Sequence, residues 1–321
     1  MKAAAQQRRE TVVVTGVYEP VPLEEADRAV GVLDIGEQLP LFGSFADLLQ
    51  LDPSLDLRQR APGGVQSDLS IRGGTFGQTL VLVDGLRLND VQTGHFNLDV
   101  PLPVDSFSRI EVLRGSGSTL YGSDAVGGVV NFVTQSPEAS QLRLRTAAGN
   151  FGVNQQRLSL AMVRGRLSQR LVASRDFSSG FIPNRDYRNL GLVWETHLST
   201  ALGATAVLLA HGDRPYGAEN FYGNYPSWER TKTWFASLRQ ELGEKTQAAF
   251  AFRRHTDLFV LYRDRPAVFT NRHAVESYQA SLRRREDVGR NTRLHYGVEG
   301  LGDSIVSNHL GANSRASAAA Y

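Results

Sequence analysis

Cysteine is missing from all 321 residues. Its absence excludes a disulfide framework and any thiolate metal site. One-sided charge is missing too, since the formal net charge is only +2. A nucleic-acid protein needs a concentrated basic face, so no nucleic acid is expected as a partner. No apolar run approaches the roughly 20 residues of a membrane-crossing helix; Ala204 to Ala210 is among the longest. Met1 to Arg9, MKAAAQQRR, has no apolar core and does not read as a secretory signal. That leaves a cytoplasmic protein, or a first residue that lies inside a longer precursor.

Catalytic signatures are missing as well. Gly115 and Gly117 begin a dinucleotide fingerprint, but Leu120 occupies its third glycine position. No Gly-Lys-Ser/Thr follows, so there is no phosphate loop. Neither Ser116 nor Ser118 has the flanking glycines of a nucleophile elbow. The histidines are scattered without a His-Glu-x-x-His pair. No enzyme, cofactor or metal site is expected.

What is present divides near Thr134. Before it, elements are short and mixed. Leu39 to Leu51 has helical apolar spacing, with Ser44 as cap and Pro53 as stop. Ser70 to Arg72, Thr79 to Val83, Ser106 to Leu113 and Gly128 to Thr134 read as strands, with Asp84-Gly85 as a turn. After Thr134, segments of roughly ten residues alternate apolar and polar, as barrel strands do. Leu190, Leu192, Trp194 and Leu198 share one face with Thr196, and Val193, Glu195 and His197 share the other. Trp234, Ala236, Leu238 and Leu242 repeat the pattern, as do Ala248, Phe250 and Phe252, and Leu294, Tyr296 and Val298.

The links alternate too. Tight turns are expected at 164–166, 200–203, 243–245 and 287–290. Long loops are expected at 177–186, 212–228, 257–274 and 303–315. Short turns on one rim and long loops on the other suit an outer-membrane barrel. A soluble β-sandwich or propeller also alternates, and mean hydropathy of −0.27 fits either.

The stretch RIEVLRGSGSTLYGSDAVGGVVNFVT, Arg109 to Thr134, starts and ends as strand but is broken by five glycines. It resembles the closing signature of the plug domain of TonB-dependent outer-membrane receptors. LSIRGG, Leu69 to Gly74, and VLVDGLRLND, Val81 to Asp90, are similar to two further plug motifs. ETVVVTG, Glu10 to Gly16, resembles the TonB box; alone, it would read as an ordinary short strand. Within the family, the signature looks closest to vitamin B12 and ferric-siderophore receptors.

The resemblance implies an N-terminal α/β plug domain followed by antiparallel transmembrane β-barrel strands. Residues 1–16 would be a periplasmic segment with the TonB box, 17–135 the plug, and 136–321 part of the barrel. About nine strands and the start of a tenth are counted, whereas a plugged lumen goes with about 22. An incomplete 22-stranded barrel is therefore expected, an N-terminal part of the receptor.

The implied activity is uptake of a scarce metal chelate, a ferric siderophore or cobalamin, across the outer membrane of a Gram-negative bacterium. Energy would come from TonB, pairing with Glu10, Thr11, Val12, Val13, Val14 and Thr15 as an added strand. The alternative is a non-transporting plug fragment that binds ligand or TonB.

The plug signature maps to Arg72, Gly73, Asp84, Gly85, Glu111, Arg114, Gly115, Tyr121, Gly122, Gly127, Gly128 and Asn131. Arg72, Glu111 and Arg114 are expected to anchor the plug by charge pairs. Plug apical loops are expected at 60–68 and 89–98. Candidate ligand contacts are Gln66, Asn89, Gln92, His95 and Asn97, with Tyr216, Tyr222 and Tyr225 from an aromatic barrel loop. Those aromatics suit a bulky planar chelate, or equally an interfacial girdle.

Overall fold

The computed structural model describes residues 12–17, 19–35, 42–134, 136–290 and 292–321. Glu10 and Thr11 of the expected TonB box lie outside them. The N-terminal strands β1 (Val12–Val13) and β2 (Val21–Pro22) pair antiparallel. Strand β3 (Val30–Asp34) and helix α1 (Phe45–Leu49) follow. The helix is shorter than its periodicity suggests, and residues 39–41 are not among those described. Its start is set by a capping box: the Ser44 hydroxyl accepts from Asp47 N–H and the Asp47 carboxylate from Ser44 N–H.

Strands β4 (Leu55–Ala61) and β5 (Val65–Ile71) form a hairpin. The expected loop 60–68 is therefore mostly strand, turning only at 62–64. Then come β6 (Thr79–Val83), β7 (Leu86–Arg87), β8 (Arg109–Arg114), helix α2 (Ser118–Tyr121) and β9 (Gly128–Val133). The plug sheet runs β3-β8-β9-β6-β7, with β6 and β9 parallel. Every residue of β6 and β9 is buried. Both faces are covered, which is why these strands read as unbroken apolar runs. On one face, Phe132 meets Phe45 and Phe107 edge-on, at 5.4 and 5.2 Å between centroids.

The glycine run is explained at Gly128. Its φ is +150°, and an added Cβ would lie 2.3 Å from the Leu113 carbonyl oxygen. A side chain there would push β9 off β8.

Ten strands follow in one antiparallel meander: β10 (Gln141–Ala148), β11 (Asn154–Arg164), β12 (Leu167–Ser178), β13 (Tyr187–Thr200), β14 (Gly203–Glu219), β15 (Pro226–Leu242), β16 (Thr246–Val260), β17 (Thr270–Val288), β18 (Thr292–Ser307) and β19 (Gly311–Ala320). Among the described residues β10 and β19 are its edges and do not pair with each other. The tight turns fall where expected. The long loops are corrected: 303–315 is a turn of three residues between strands, and 212–228 and 257–274 shrink to 220–225 and 261–269. Cross-strand pairing carries β14 to β17 well beyond ten residues, because each polar residue there still has a ladder partner.

Leu192, Trp194, Leu198, Trp234, Leu238, Leu242, Phe250, Leu294, Tyr296 and Val298 are exposed on the outer face. Val172, Val193, Leu208, Ala210, Phe235 and Ala251 point inward and join the plug core. The strands thus wrap the plug and carry an apolar outer band. No helix among the described residues is long and apolar enough to cross a membrane.

Candidate functional site

Two faces of the plug carry the predicted residues. The first is the N-terminal side. The Glu111 carboxylate is fully buried and accepts the N–H groups of Val14 and Thr15 at 3.0 and 2.8 Å. Its other oxygen takes Arg109 at 2.8 Å. Asn131 donates to the Thr15 hydroxyl at 2.9 Å and accepts Gly85 N–H at 3.0 Å. The Tyr121 hydroxyl accepts Gly16 N–H at 3.2 Å. Desolvation raises the pKa of that phenol, so it stays protonated. The signature residues Glu111, Tyr121 and Asn131 therefore converge on residues 14–16.

Other signature residues build turns and anchors. Arg114 binds Asp52 at 2.8 Å and Ser54 at 3.1 Å. Burial opposes ionisation of Asp52, but hydrogen bonds from Ser54 and Arg114 outweigh it and lower its pKa. Asp84 and Gly85 adopt φ of 51° and 81° in the β6–β7 turn. Asp84 also accepts from Thr134 N–H and hydroxyl, each at 2.8 Å, and pairs with Arg239 of β15 at 3.2 Å. Arg72 and Gly73 form an exposed left-handed pair, φ 49° and 79°. Gly115 and Gly122 take φ of 107° and 79°, and a Cβ on Gly127 would lie 3.2 Å from the Gln78 carbonyl.

The second face is the apex. Asp90 pairs with Arg253 and His255 of β16, each at 2.8 Å. Asp99 pairs with Arg214 of β14 at 3.2 Å and with His255 at 3.3 Å. Burial opposes ionisation of both aspartates, yet His255 with Arg253 or Arg214 holds both pKa values below the usual carboxylate range. Gln92 reaches Asp257 at 3.2 Å. Gln66, at φ 35°, donates to the Tyr222 hydroxyl. Tyr222 and Tyr216 donate to Glu229 at 2.9 and 2.6 Å. These side chains join the plug apex to β14–β16 as one polar layer.

The candidates divide. Gln66, Gln92, Tyr216 and Tyr222 come together in that layer. His95 sits aside, 2.7 Å from Asp68 and with its ring tilted against Phe76. Asn89 and Asn97 bond backbone groups of the plug itself: Val81 and Thr79, and Asp90 and Phe76. Tyr225 stands edge-on to Tyr262 at the rim. Tyr216 lies in β14, facing inward, and not in a loop.

Sequence reading missed Arg253, His255 and Asp257. Their signal was available: they sit at alternate positions of β16, opposite the outward Phe250 and Phe252. Buried polar atoms in the layer have capacity to spare. Gln66 Oε1, Gln92 Oε1, Asp257 Oδ1 and Arg253 Nη2 have no hydrogen-bond partner among the described residues. Beside it, a cavity of about 50 Å³ between Pro101, Pro103, Arg157, Asp176 and Asn189 has room for a few waters. The layer can thus exchange internal contacts for those of a polar guest. No cluster of metal ligands occurs among the described residues.

Residues 28–129 match the family model of the TonB-dependent receptor plug domain. The chain is 36% identical over 143 residues to the vitamin B12 transporter BtuB of Vibrio vulnificus, covering 44% of this chain and 23% of that protein. It is 35% identical over 142 residues to an iron-regulated outer membrane virulence protein of Vibrio cholerae, covering 42% and 21%. Among solved structures, Pseudomonas aeruginosa FpvA bound to heterologous pyoverdines superposes with a TM-score of 0.71 at 14% identity, over 92% of this chain and 44% of that one. The alcaligin outer membrane receptor FauA of Bordetella pertussis superposes with a TM-score of 0.67 at 16% identity, over 97% and 51%. The chain spans about half the length of these structures, and its matched segment under a quarter of the curated relatives. The plug motifs and the matched model make residues 28–129 a TonB-dependent receptor plug domain, and the chain as a whole is similar to receptors of the Gram-negative outer membrane.

Proposed function

We propose that the chain is part of a receptor that imports a scarce metal chelate, a ferric siderophore or cobalamin, across the outer membrane. The observation that carries this reading is the apical polar layer, in which plug residues Gln66, Asp90, Gln92 and Asp99 are bonded to barrel residues. A guest seated on Gln66, Gln92, Tyr222 and Tyr225 competes for those bonds and loosens plug from wall. The relatives point to the same substrate class, one by the name of B12 transporter and one by iron regulation.

TonB is the proposed source of energy. Residues 12–15 are β-branched, and Val12–Val13 already form a strand, which suits strand addition by a partner. Glu111, Tyr121 and Asn131 hold this segment, so traction on it reaches β8 and β9 directly. Residues 1–16, 17–135 and 136–321 are proposed as the TonB-box segment, the plug and the barrel portion.

The second reading is a plug fragment that binds ligand or TonB without transporting. One experiment separates the two. The protein is expressed in a Gram-negative host lacking its own chelate receptors, and labelled cobalamin and ferric chelates are supplied with and without TonB. Accumulation inside the cell that needs TonB supports import. Binding at the surface without accumulation supports the second reading. Neither binding nor accumulation sinks both.

A further inference from the structure

The apical layer holds more negative charge than it neutralises. Asp90 is answered by Arg253 and His255, and Asp99 by Arg214 and His255. Nearer the long-loop rim, Glu229 of β15 and Asp257 of β16 are buried as well, at 2% and 5% exposure. Among the described residues neither has a cation within ion-pair distance. Glu229 accepts instead from the neutral hydroxyls of Tyr216 and Tyr222, and Asp257 from the amide of Gln92.

Strand register brings the two carboxylates together. Tyr216, Glu229, Phe259 and Asn271 form one inward row across β14 to β17. Arg214, Thr231, Asp257 and His273 form the next. Glu229 and Asp257 are therefore diagonal neighbours, about 7–8 Å apart at Cα. The rings of Tyr222 and Phe259 meet edge-on beside them at 5.2 Å. Two plug-side and rim cations, Arg60 and Arg185, pack over the Phe221 ring at 5.9 and 4.4 Å. They donate to the main-chain carbonyls of Phe221, Glu219 and Arg60, and not to either carboxylate.

The unused hydrogen-bonding capacity here is mostly of one kind. Gln66 Oε1, Gln92 Oε1, Asp257 Oδ1 and Asn271 Oδ1 are buried acceptors with no partner among the described residues. The carboxylates fix the two amides. Tyr222 gives its one hydrogen to Glu229 and so needs the Gln66 nitrogen as donor, and Asp257 needs the Gln92 nitrogen. Both amide oxygens are left over, and that of Gln66, a residue 3% exposed, borders the same acidic recess. His273 Nδ1 also lacks a partner, and its tautomer decides whether it donates or accepts. The free donors of Arg253 lie lower, four residues along β16 from Asp257, or about 13 Å by strand rise.

A guest that suits this recess brings donors and positive charge. A primary ammonium has three donors and no acceptor, and the faces of Tyr222 and Phe259 favour it further. Buried carboxylates without a counter-charge are unfavourable, and a cation relieves them. A polyanionic chelate would instead be repelled by Glu229 and Asp257. We propose that the recess between Glu229, Asp257, Gln66 and Gln92 binds a protonated amine of the imported chelate. The substrate class is then a ferric chelate that carries a free cationic amine. This inference rests on the import reading above and narrows it.

The test uses the full chain, expressed in the outer membrane of a Gram-negative host and extracted in neutral detergent. Titration calorimetry measures four probes: a linear ferric trihydroxamate ending in a free amine, the same chelate ending in methyl, a ferric tris-catecholate, and cobalamin. The amine chelate is expected to bind about ten- to a hundredfold more tightly than its methyl counterpart. Glu229→Gln and Asp257→Asn are each expected to lose most of that preference. A merely structural loss would weaken both chelates alike and leave the preference intact. Glu276→Gln, the same change of charge on the outward side of β17, is expected to keep it. Equal binding of the amine and methyl chelates overturns the proposal, as does full preference in Glu229→Gln/Asp257→Asn. Tighter binding of the tris-catecholate or of cobalamin overturns it and leaves the import reading standing. Binding of none of the four overturns both. If the variants do not fold, the amine preference of the unmodified chain decides by itself.

Discussion

Arg253 of β16 and Asp90 of the plug meet at 2.8 Å although 163 residues separate them, and both side chains are buried. Removing Arg253 leaves the buried Asp90 carboxylate with His255 as its remaining charged partner. Arg253→Met is expected to destabilise the folded chain by about 3–5 kcal/mol. The double change Arg253→Met/Asp90→Asn is expected to lose less than the single one, because the buried carboxylate that Arg253 compensated is gone and His255 keeps Asp99. Thermal unfolding in detergent checks both, and a double variant no better than Arg253→Met argues against the pair.

Acid has a predictable effect on the paired carboxylates of the plug. Asp52, Asp90 and Asp99 all have pKa values lowered below the ordinary carboxylate value by folding. A lowered folded-state value means the unfolded chain takes up protons first as pH falls. Their stabilisation is therefore complete above about pH 4, the unfolded aspartate range, and is lost progressively below it. The stability difference between the unmodified chain and Asp90→Asn, followed from pH 7 to pH 2, should shrink as pH falls below about 4. Asp90→Asn should flatten the acid limb.

Glu111 is the grip on the N-terminal strand. Glu111→Gln keeps the shape but weakens two charge-assisted hydrogen bonds to Val14 and Thr15. Loss of about 1.5–3 kcal/mol of local stability is expected. Amide hydrogen exchange at Val14 and Thr15 should speed up by one to two orders of magnitude at that cost. Unchanged exchange would show that the segment is held elsewhere.

Gly128 and Gly73 separate close approach from backbone conformation. At Gly128 an added Cβ meets the Leu113 carbonyl at 2.3 Å, whereas at Gly73, φ 79°, it meets nothing within 4 Å. Gly128→Ala is expected to cost about 3 kcal/mol or more, and Gly73→Ala about 1 kcal/mol. Denaturant unfolding of the two variants ranks them, and equal costs would refute the argument from space.

The lipid-facing assignment predicts an asymmetry across one strand. Phe250 is exposed and Ala251 is buried against the plug core. Phe250→Arg is expected to lower folding stability in a bilayer by about 2–4 kcal/mol, and far less in water-like surroundings such as short-chain detergent. A penalty independent of the surroundings would mean that this face does not meet lipid.

The sequence by itself determined the repeating parts of this protein. Period-two alternation marked Leu192, Trp194, Trp234, Leu238 and Phe250 as one face, because side-chain direction in a strand depends only on position parity. The plug motifs marked Glu111, Asn131 and the glycines, because close backbone approach and left-handed turns leave few residue choices. Helix α1 was legible through Ser44 and Asp47, whose bonds are local. What only the tertiary structure decided is which polar side chains meet. Asn89 and Asn97 bond their own plug backbone, while Gln66 and Gln92 cross to Tyr222 and Asp257. Such meetings are set by register across long stretches of chain, and register is fixed by the sum of the ladder and packing, which no single residue announces.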